Sequence, residues 1–292
     1  RAHTIDTTCA TSRFEEIADV WSVGTKPVYR ITTSTGYTIE ATDNHPFLVE
    51  GTWRELKDIG PGDLVGVARR TMTDGGAKVA RHQAELAALL ISEGYTPDIV
   101  NGPRRSPHFC NSDPELLDIF RSAYEKEFGQ PHSGRYTANG VTQLRLKPAE
   151  LIALRPLLGT LGLAADKTIS ERLINAPAEK VERFVGLYFC ADGWADRSGA
   201  HFGSKSRAVC LGLKRMLLRF GILSNQHRRE IGGHGTHWTL SIADKGQAKE
   251  FARLVSPHLT ATKAAKVERW LVEWGTTTGA SATRIGIPTA FV

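Results

Sequence analysis

Two stretches of the chain are apolar on almost every side of a helical period. The first reads Leu86-Ala87-Ala88-Leu89-Leu90-Ile91-Ser92-Glu93-Gly94, and the second Phe184-Val185-Gly186-Leu187-Tyr188-Phe189-Cys190-Ala191-Asp192-Gly193. A helix that is apolar all round has to be buried. Both predicted helices, 85–92 and 181–191, end at an acid followed by glycine. Small residues (Ala87, Ala88, Gly186) stand where two backbones are expected to approach. Beyond each helix the pattern loosens into amphipathic helices and hairpins. After the first come a helix over 114–128 closed by Gly129, a hairpin over 136–146 turning at Asn139-Gly140, and a helix over 148–158. After the second come a helix over 206–220 closed by Gly221, a hairpin over 227–242 turning at Gly232-Gly233-His234-Gly235, and a helix over 247–255 before Pro257. The landmark pairs Gly94 and Gly193, Gly129 and Gly221, and Leu146 and Ile242 each recur at about a hundred residues in the same order, which predicts a duplicated unit.

Residues 1–70 carry a different pattern. Short β-prone runs at 28–33, 38–42, 46–49 and 64–67 are punctuated by Gly36, Gly51 and Gly60-Pro61-Gly62, which predicts a small all-β domain. A linker over 71–80 with Gly75-Gly76 follows, then the two halves at 81–175 and 176–268, and a C-terminal segment at 269–292. A helix is expected near 265–273.

A chain of 292 residues, 41% of them apolar, suits two or three compact units. No 18-residue apolar run is present, so no membrane span is expected. Arg1-Ala2-His3-Thr4 opens without the apolar core of a signal peptide or an initiator Met, which suggests a segment of a longer precursor. The net charge of +6 favours a polyanionic partner. Cys9, Cys110, Cys190 and Cys210 are scattered and never form C-x-x-C, so neither a zinc knuckle nor a disulfide framework is expected, and the location expected is cytoplasmic.

The chemistry concentrates in the two terminal acids. A helix C-terminus carries partial negative charge, so a carboxylate there is disfavoured without a cation. Two such acids side by side repel each other and invite Mg²⁺, which takes carboxylate oxygens and keeps its waters. That arrangement suits phosphodiester hydrolysis. One such acid alone reads as an ordinary helix end pointing into water before a glycine cap, but the repeat weighs against that reading.

Over residues 80–265 the doubled motif resembles the LAGLIDADG homing endonucleases. The resemblance implies that Glu93 and Asp192 are the catalytic, metal-binding acids, that the motif helices form the interface between halves, and that the hairpins build a curved sheet for the DNA major groove. The first copy departs from the family in Ala88 for Gly and Glu93 for Asp. The family also places a basic residue near each centre, which implies Lys167 after Leu161-Gly162-Leu163, and Lys263 or Lys266 in the second half. A lysine there polarises the attacking water or neutralises phosphate charge. For DNA contact the hairpins and their flanks offer Arg104, Arg105, Arg135, Arg145 and Lys147, then Arg197, Lys205, Arg207, Arg228 and Arg229. Strand alternation sends every second one to the same face. His201, His227, His234 and His237 have no cysteine or carboxylate in register, so they read as a solvated hairpin rather than a metal site.

The N-terminal piece carries a second motif, Ala41-Thr42-Asp43-Asn44-His45-Pro46-Phe47-Leu48-Val49, with Trp53, Leu56 and Gly62-Asp63-Leu64-Val65 downstream. It resembles the intein (Hint) block that assists the first acyl shift. The resemblance implies that His45 protonates or strains the scissile peptide while Thr42 fixes its geometry. The strand pattern over 28–67 is also similar to inteins of replicative helicases. Splicing inteins begin with Cys or Ser and end with His-Asn, whereas this chain starts at Arg1 and stops at Phe291-Val292, and Cys9 is not terminal. This chain alone is therefore not expected to splice: either the splicing ends lie outside it, next to the host exteins, or they have been lost.

Together these readings give an α+β fold: duplicated αββαββα LAGLIDADG halves related by a pseudo-two-fold, preceded by a partial all-β Hint domain to which 269–292 leads back. The function expected is a monomeric, Mg²⁺-dependent endonuclease cutting double-stranded DNA at a long asymmetric site. The rivals are the core of an intein whose nucleophile and Asn lie elsewhere, and a non-catalytic DNA-binding remnant.

Overall fold

The computed structural model describes residues 2–6, 11–68, 70–71, 77–98, 106–132, 134–233 and 235–275. The N-terminal piece consists of three antiparallel hairpins: β1 (Ala2–Asp6) with β2 (Thr11–Glu15), β3 (Tyr29–Thr32) with β4 (Thr38–Ala41), and β5 (Pro46–Val49) with β6 (Thr52–Glu55). A single turn of 3-10 helix follows at Leu56–Asp58. The strand expected at 64–67 is reduced to one bridge, Val65 to Val49. The three hairpins share no ladder. Val20, Trp21, Tyr29 and Trp53 are exposed, and none of the described residues of this piece joins the main core, which runs from Val79 to Trp274. Strand patterning alone predicted β structure here; it carried no information on whether the strands meet.

The rest is built from two units of one topology. The first comprises α1 (Arg81–Glu93), β7 (Gly94–Tyr95), β8 (His108–Asn111), α2 (Pro114–Phe128), β9 (Arg135–Ala138), β10 (Val141–Arg145), α3 (Pro148–Leu158) and the short α4 (Glu171–Ile174). The second comprises α5 (Ala178–Asp192), β11 (Gly193–Asp196), β12 (Gly199–Ser204), α6 (Arg207–Arg219), β13 (Asn225–Ile231), β14 (Gly235–Ile242), α7 (Lys245–Val255) and α8 (Ala261–Gly275). The sheets are ordered β7-β8-β10-β9 and β11-β12-β14-β13, the same sequence of pairings in each half. The duplication seen in helix ends therefore extends to strand order. The hairpin β11–β12, directly after the second motif, was missed because Trp194-Ala195-Asp196 lacks β-branched residues.

Local chemistry explains the element ends. Asp113 accepts from the Glu115 amide at 2.9 Å, with Pro114 in the first turn and Gly129 at φ +68° closing α2. Ser206 caps α6 and Asp244 caps α7 in the same manner. Asn139 and Gly140 both hold positive φ, the geometry of a tight hairpin turn. Residues 84–91 of α1 and 183–190 of α5 are all buried, and the two helices pack against each other as the seam between the halves. Each fully buried Leu or Phe there contributes about 1.5–3 kcal/mol.

One expectation about the seam needs correction. Aligning Glu93 with Asp192 puts Gly186 opposite Ala87 and Leu187 opposite Ala88. A Cβ on Gly186 would meet the Cβ of His258 at 2.5 Å. Gly186 is small because the turn after α7 lies on it, not because α1 does.

Candidate active site

Burial of the motif helices brings Glu93 and Asp192 together where α1 and α5 end. The Glu93 carboxyl is pushed up to about 7, chiefly by burial and then by the negative charge of Asp192; an Asn111 hydrogen bond and Lys263 oppose the shift. Asn111 Nδ2 donates to Glu93 Oε2 at 2.5 Å from the end of β8. Sequence reading missed Asn111, since only the β8 register carries it to the helix end. Asp192 is also raised by burial, against the pull of Lys167 and Lys263.

The two lysines occupy related places. Lys167, almost wholly buried, donates its three ammonium hydrogens to the carbonyls of Leu90, Ile91 and Gly94 at 3.0, 3.0 and 2.6 Å. Lys263 donates to the carbonyl of Gly193 at 2.7 Å and lies 5.2 Å from the Phe189 ring centre. Each lysine thus places positive charge at the negative end of a motif helix. Burial lowers both, Lys167 to about 8. With all three donors on backbone, Lys167 has none left for a water, so its contact with the chemistry is electrostatic. Lys266 is set apart: it is exposed and lines a separate cleft with Arg197, Arg269 and Trp270.

Register sorts the arginines expected to meet DNA. In the second sheet His201 lies opposite Ser241, Gly203 opposite Thr239, Thr239 opposite His227, and His237 opposite Arg229. Arg229 therefore shares the outward face with His227 and His237. Arg228 falls on the other face, opposite Trp238, and is paired with Glu230 at 2.7 Å. In the first sheet Arg145 lies opposite His108 and over the ring of Tyr136, outward. Arg135 lies opposite the buried Leu144, on the helix-facing register of the edge strand. Arg135 and Arg228 are thus the two hairpin arginines not brought to the outward faces. Lys147 sits at the start of α3, 3.8 Å from Glu150. Lys205 is exposed, Arg207 lies 5.6 Å from the Trp238 ring centre, and Arg197 is in the β11–β12 turn. Arg104, Arg105 and His234 lie outside the described residues, as do 276–292.

A cleft of about 660 Å³ starts at Asp192 and runs over the second sheet past Trp194, Lys205, Arg229 and His237. Asp192, the buried Lys167 and a basic groove meet there. Thr42 and His45 lie away from the acid pair, in the loop between β4 and β5. The His45 amide bonds the Thr42 carbonyl at 3.1 Å, and the Thr42 hydroxyl bonds Asn44 at 2.9 Å. His45 is exposed, with its ring 5.2 Å from Phe47.

Comparison with known proteins gives this geometry a context. Residues 179–256 match the LAGLIDADG-like domain. A DNA gyrase subunit from Mycobacterium gordonae is 27% identical over 249 residues, 78% of this chain and 44% of that protein. A replicative DNA helicase DnaB of Rhodothermus marinus is 26% identical over 228 residues, 70% of this chain and 23% of that protein. The chain spans less than half the length of each. Among solved structures, mesophilic variants of the homing endonuclease I-DmoI align with a TM-score of 0.48 at 17% identity, over 65% of this chain and 97% of that one. I-DmoI in complex with DNA and Mn aligns with a TM-score of 0.47 at 16% identity, over 61% and 98%. No helix among the described residues is long and apolar enough to cross a membrane.

Proposed function

We propose that this chain is a site-specific endonuclease for double-stranded DNA, with one acid from each half, Glu93 and Asp192, serving a divalent-metal centre. The observation that carries the proposal is the meeting of two half-buried carboxylates, one from each half, where the motif helices end side by side. The match of 179–256 to the LAGLIDADG-like domain supports it.

The residues fit Mg²⁺. Their donors are hard carboxylate oxygens, and a cation between them relieves the repulsion. No group of three or more His, Cys, Asp or Glu among the described residues closes a protein cage. That suits an ion that keeps waters and takes phosphate oxygens. When bound, Mg²⁺ supplies charge neutralisation at the phosphate and a more acidic attacking water. The chain's own residues do the rest. Asn111 fixes the Glu93 carboxylate, while Lys167 and Lys263 favour the charged form of Asp192 and Lys263 that of Glu93. Arg145, Lys205 and Arg229 hold backbone on either side.

Two unequal halves in one chain favour a monomer and an asymmetric site. The gyrase and the helicase are different enzymes by name, yet each matches more than two thirds of this chain and a minority of itself. A segment shared between unlike hosts is what an inserted element predicts. That favours the intein reading, with Thr42 and His45 assisting cleavage at an extein boundary, in a cytoplasmic host. The two hosts do not single out a helicase. The test is linearisation of a plasmid carrying the joined flanks of the DNA segment that encodes this chain, with Mg²⁺ against EDTA. Metal-dependent double-strand cutting supports the endonuclease; tight binding without cutting under any divalent ion supports a DNA-binding remnant.

A further inference from the structure

Sheet register makes Tyr95 the counterpart of Trp194, His108 the counterpart of His201, and Cys110 the counterpart of Gly203. Each aromatic directly follows a motif glycine and sits on the imidazole across from it. The ring centres of Tyr95 and His108 are 5.4 Å apart and tilted; those of Trp194 and His201 are 5.1 Å apart and stacked at 21°. The first imidazole has His108 Nδ1 2.8 Å from the Ser106 carbonyl, and the second has more partners. His201, buried, has Nδ1 2.9 Å from Ser241 Oγ and Nε2 3.1 Å from both Asp196 Oδ1 and Ser198 Oγ. The same Asp196 carboxylate accepts the indole N–H of Trp194 at 3.2 Å on its other oxygen. Ser198 donates its hydroxyl to Asp196 at 2.6 Å and its backbone N–H at 2.7 Å, fixing that carboxylate in turn. A Cβ at Gly203 would meet the indole at 3.3 Å, so this strand lets the ring lie flat where the first half has Cys110.

All this polar organisation secures a tryptophan that stays 39% exposed and lines the cleft beside Asp192. A ring needed only for packing would not be left so open while its imidazole support is buried. We infer that Trp194 is an aromatic wedge that docks against a DNA base step next to the phosphate facing Asp192, with His201 and Asp196 as the residues that position it. This rests on the endonuclease reading for the identity of the polymer. Large apolar side chains inserted at a base step partly unstack it. An aromatic–base contact strengthens binding roughly tenfold or more. Tyr95, smaller and on a less constrained imidazole, makes the lesser contact, so distortion is concentrated on the second half.

The test uses a duplex of the joined flanks with 2-aminopurine at adenines near its centre, in EDTA so that binding is read without cutting. Wild-type protein raises 2-aminopurine emission as the step opens. Trp194→Ala abolishes the rise and weakens binding about tenfold, while Trp194→Phe restores most of both. Asp196→Ala reduces the rise with a melting temperature close to wild type. Under Mg²⁺ the Trp194→Ala defect falls mainly on KM. Equal affinity and equal emission for Trp194→Ala and wild type overturn the inference. Should Trp194→Ala not fold, intrinsic fluorescence decides: DNA-induced quenching that persists unchanged in Trp194→Phe also overturns it. Opening of the step without metal-dependent cutting removes the endonuclease reading and leaves the wedge standing.

Discussion

Arg183 on α5 donates to Glu85 on α1 at 2.8 Å, and the two side chains are only 10% and 9% exposed. Arg81 reaches the same carboxylate oxygen at 3.0 Å, and Arg183 also contacts the His258 carbonyl at 3.3 Å. One end of the seam between the halves thus carries a compensated charge pair, and the other end carries two acids.

Removing Glu85 leaves the buried Arg183 without its carboxylate, so Glu85→Ala is expected to cost about 3–5 kcal/mol. Arg183→Ala is expected to cost less, because Arg81 still reaches Glu85 at 3.0 Å, and an apolar pair of similar volume at both positions is expected to be near neutral. Urea denaturation of the three variants checks this.

The acidic end has the opposite character. Glu93 has a folded pKa raised from 4.5 to about 7. Its protonated form therefore favours the folded state fully below about 4.5, and that contribution is lost as pH rises through 7. Metal-free protein is expected to lose stability across this window, by less than the full shift implies because solvent reaches Glu93 and screens it, with Asp192 acting in the same direction. Glu93→Gln should flatten the dependence and raise metal-free stability at pH 8. Melting temperatures of both proteins in EDTA from pH 4.5 to 8 test it, and a flat wild-type profile contradicts it.

Lys167→Met removes three hydrogen bonds at the end of α1. The Leu90 carbonyl keeps the Gly94 amide, but those of Ile91 and Gly94 lose their ammonium donor, which predicts a loss of about 1–3 kcal/mol. Since burial depresses the Lys167 pKa to about 8, wild-type stability is expected to be highest above the ordinary lysine range and to decline as pH falls through 8 and the buried amine takes up its proton, a dependence that Lys167→Met removes. Stability curves of the variant near pH 7 and pH 10 separate this capping role from a purely catalytic one, which would leave stability unchanged.

The sequence showed which helices end in acids because helical period, a terminal carboxylate and glycine are all local signals. Asn139-Gly140 marked its hairpin for the same reason. It could not show which of Arg228 and Arg229 faces outward, since a one-residue shift in strand register exchanges them. Nor could it choose Lys263 over Lys266, which depends on how α8 lies against Gly193. The buried Lys214 shows the same limit. It donates to the Thr35 carbonyl and stands 3.7 Å over the Tyr37 ring, joining the β3–β4 turn to α6 across most of the chain's length.

That register yields a direct comparison. Arg229→Ala is expected to weaken DNA binding and to reduce the slope of log affinity against log salt by about one. Arg228→Ala, on the face paired with Glu230, should leave both near wild type. Binding titrations at several salt concentrations measure the difference, and equal losses would contradict the register argument.

The central claim is that each half contributes one acid to a shared metal-dependent centre. Its most direct test is the cleavage of supercoiled plasmid carrying the joined flanks by wild type, Glu93→Gln and Asp192→Asn, in Mg²⁺ and in EDTA. The account predicts linear product from wild type only with Mg²⁺, and loss of linear product in both variants while DNA binding persists. Undiminished double-strand cutting by either variant would contradict it.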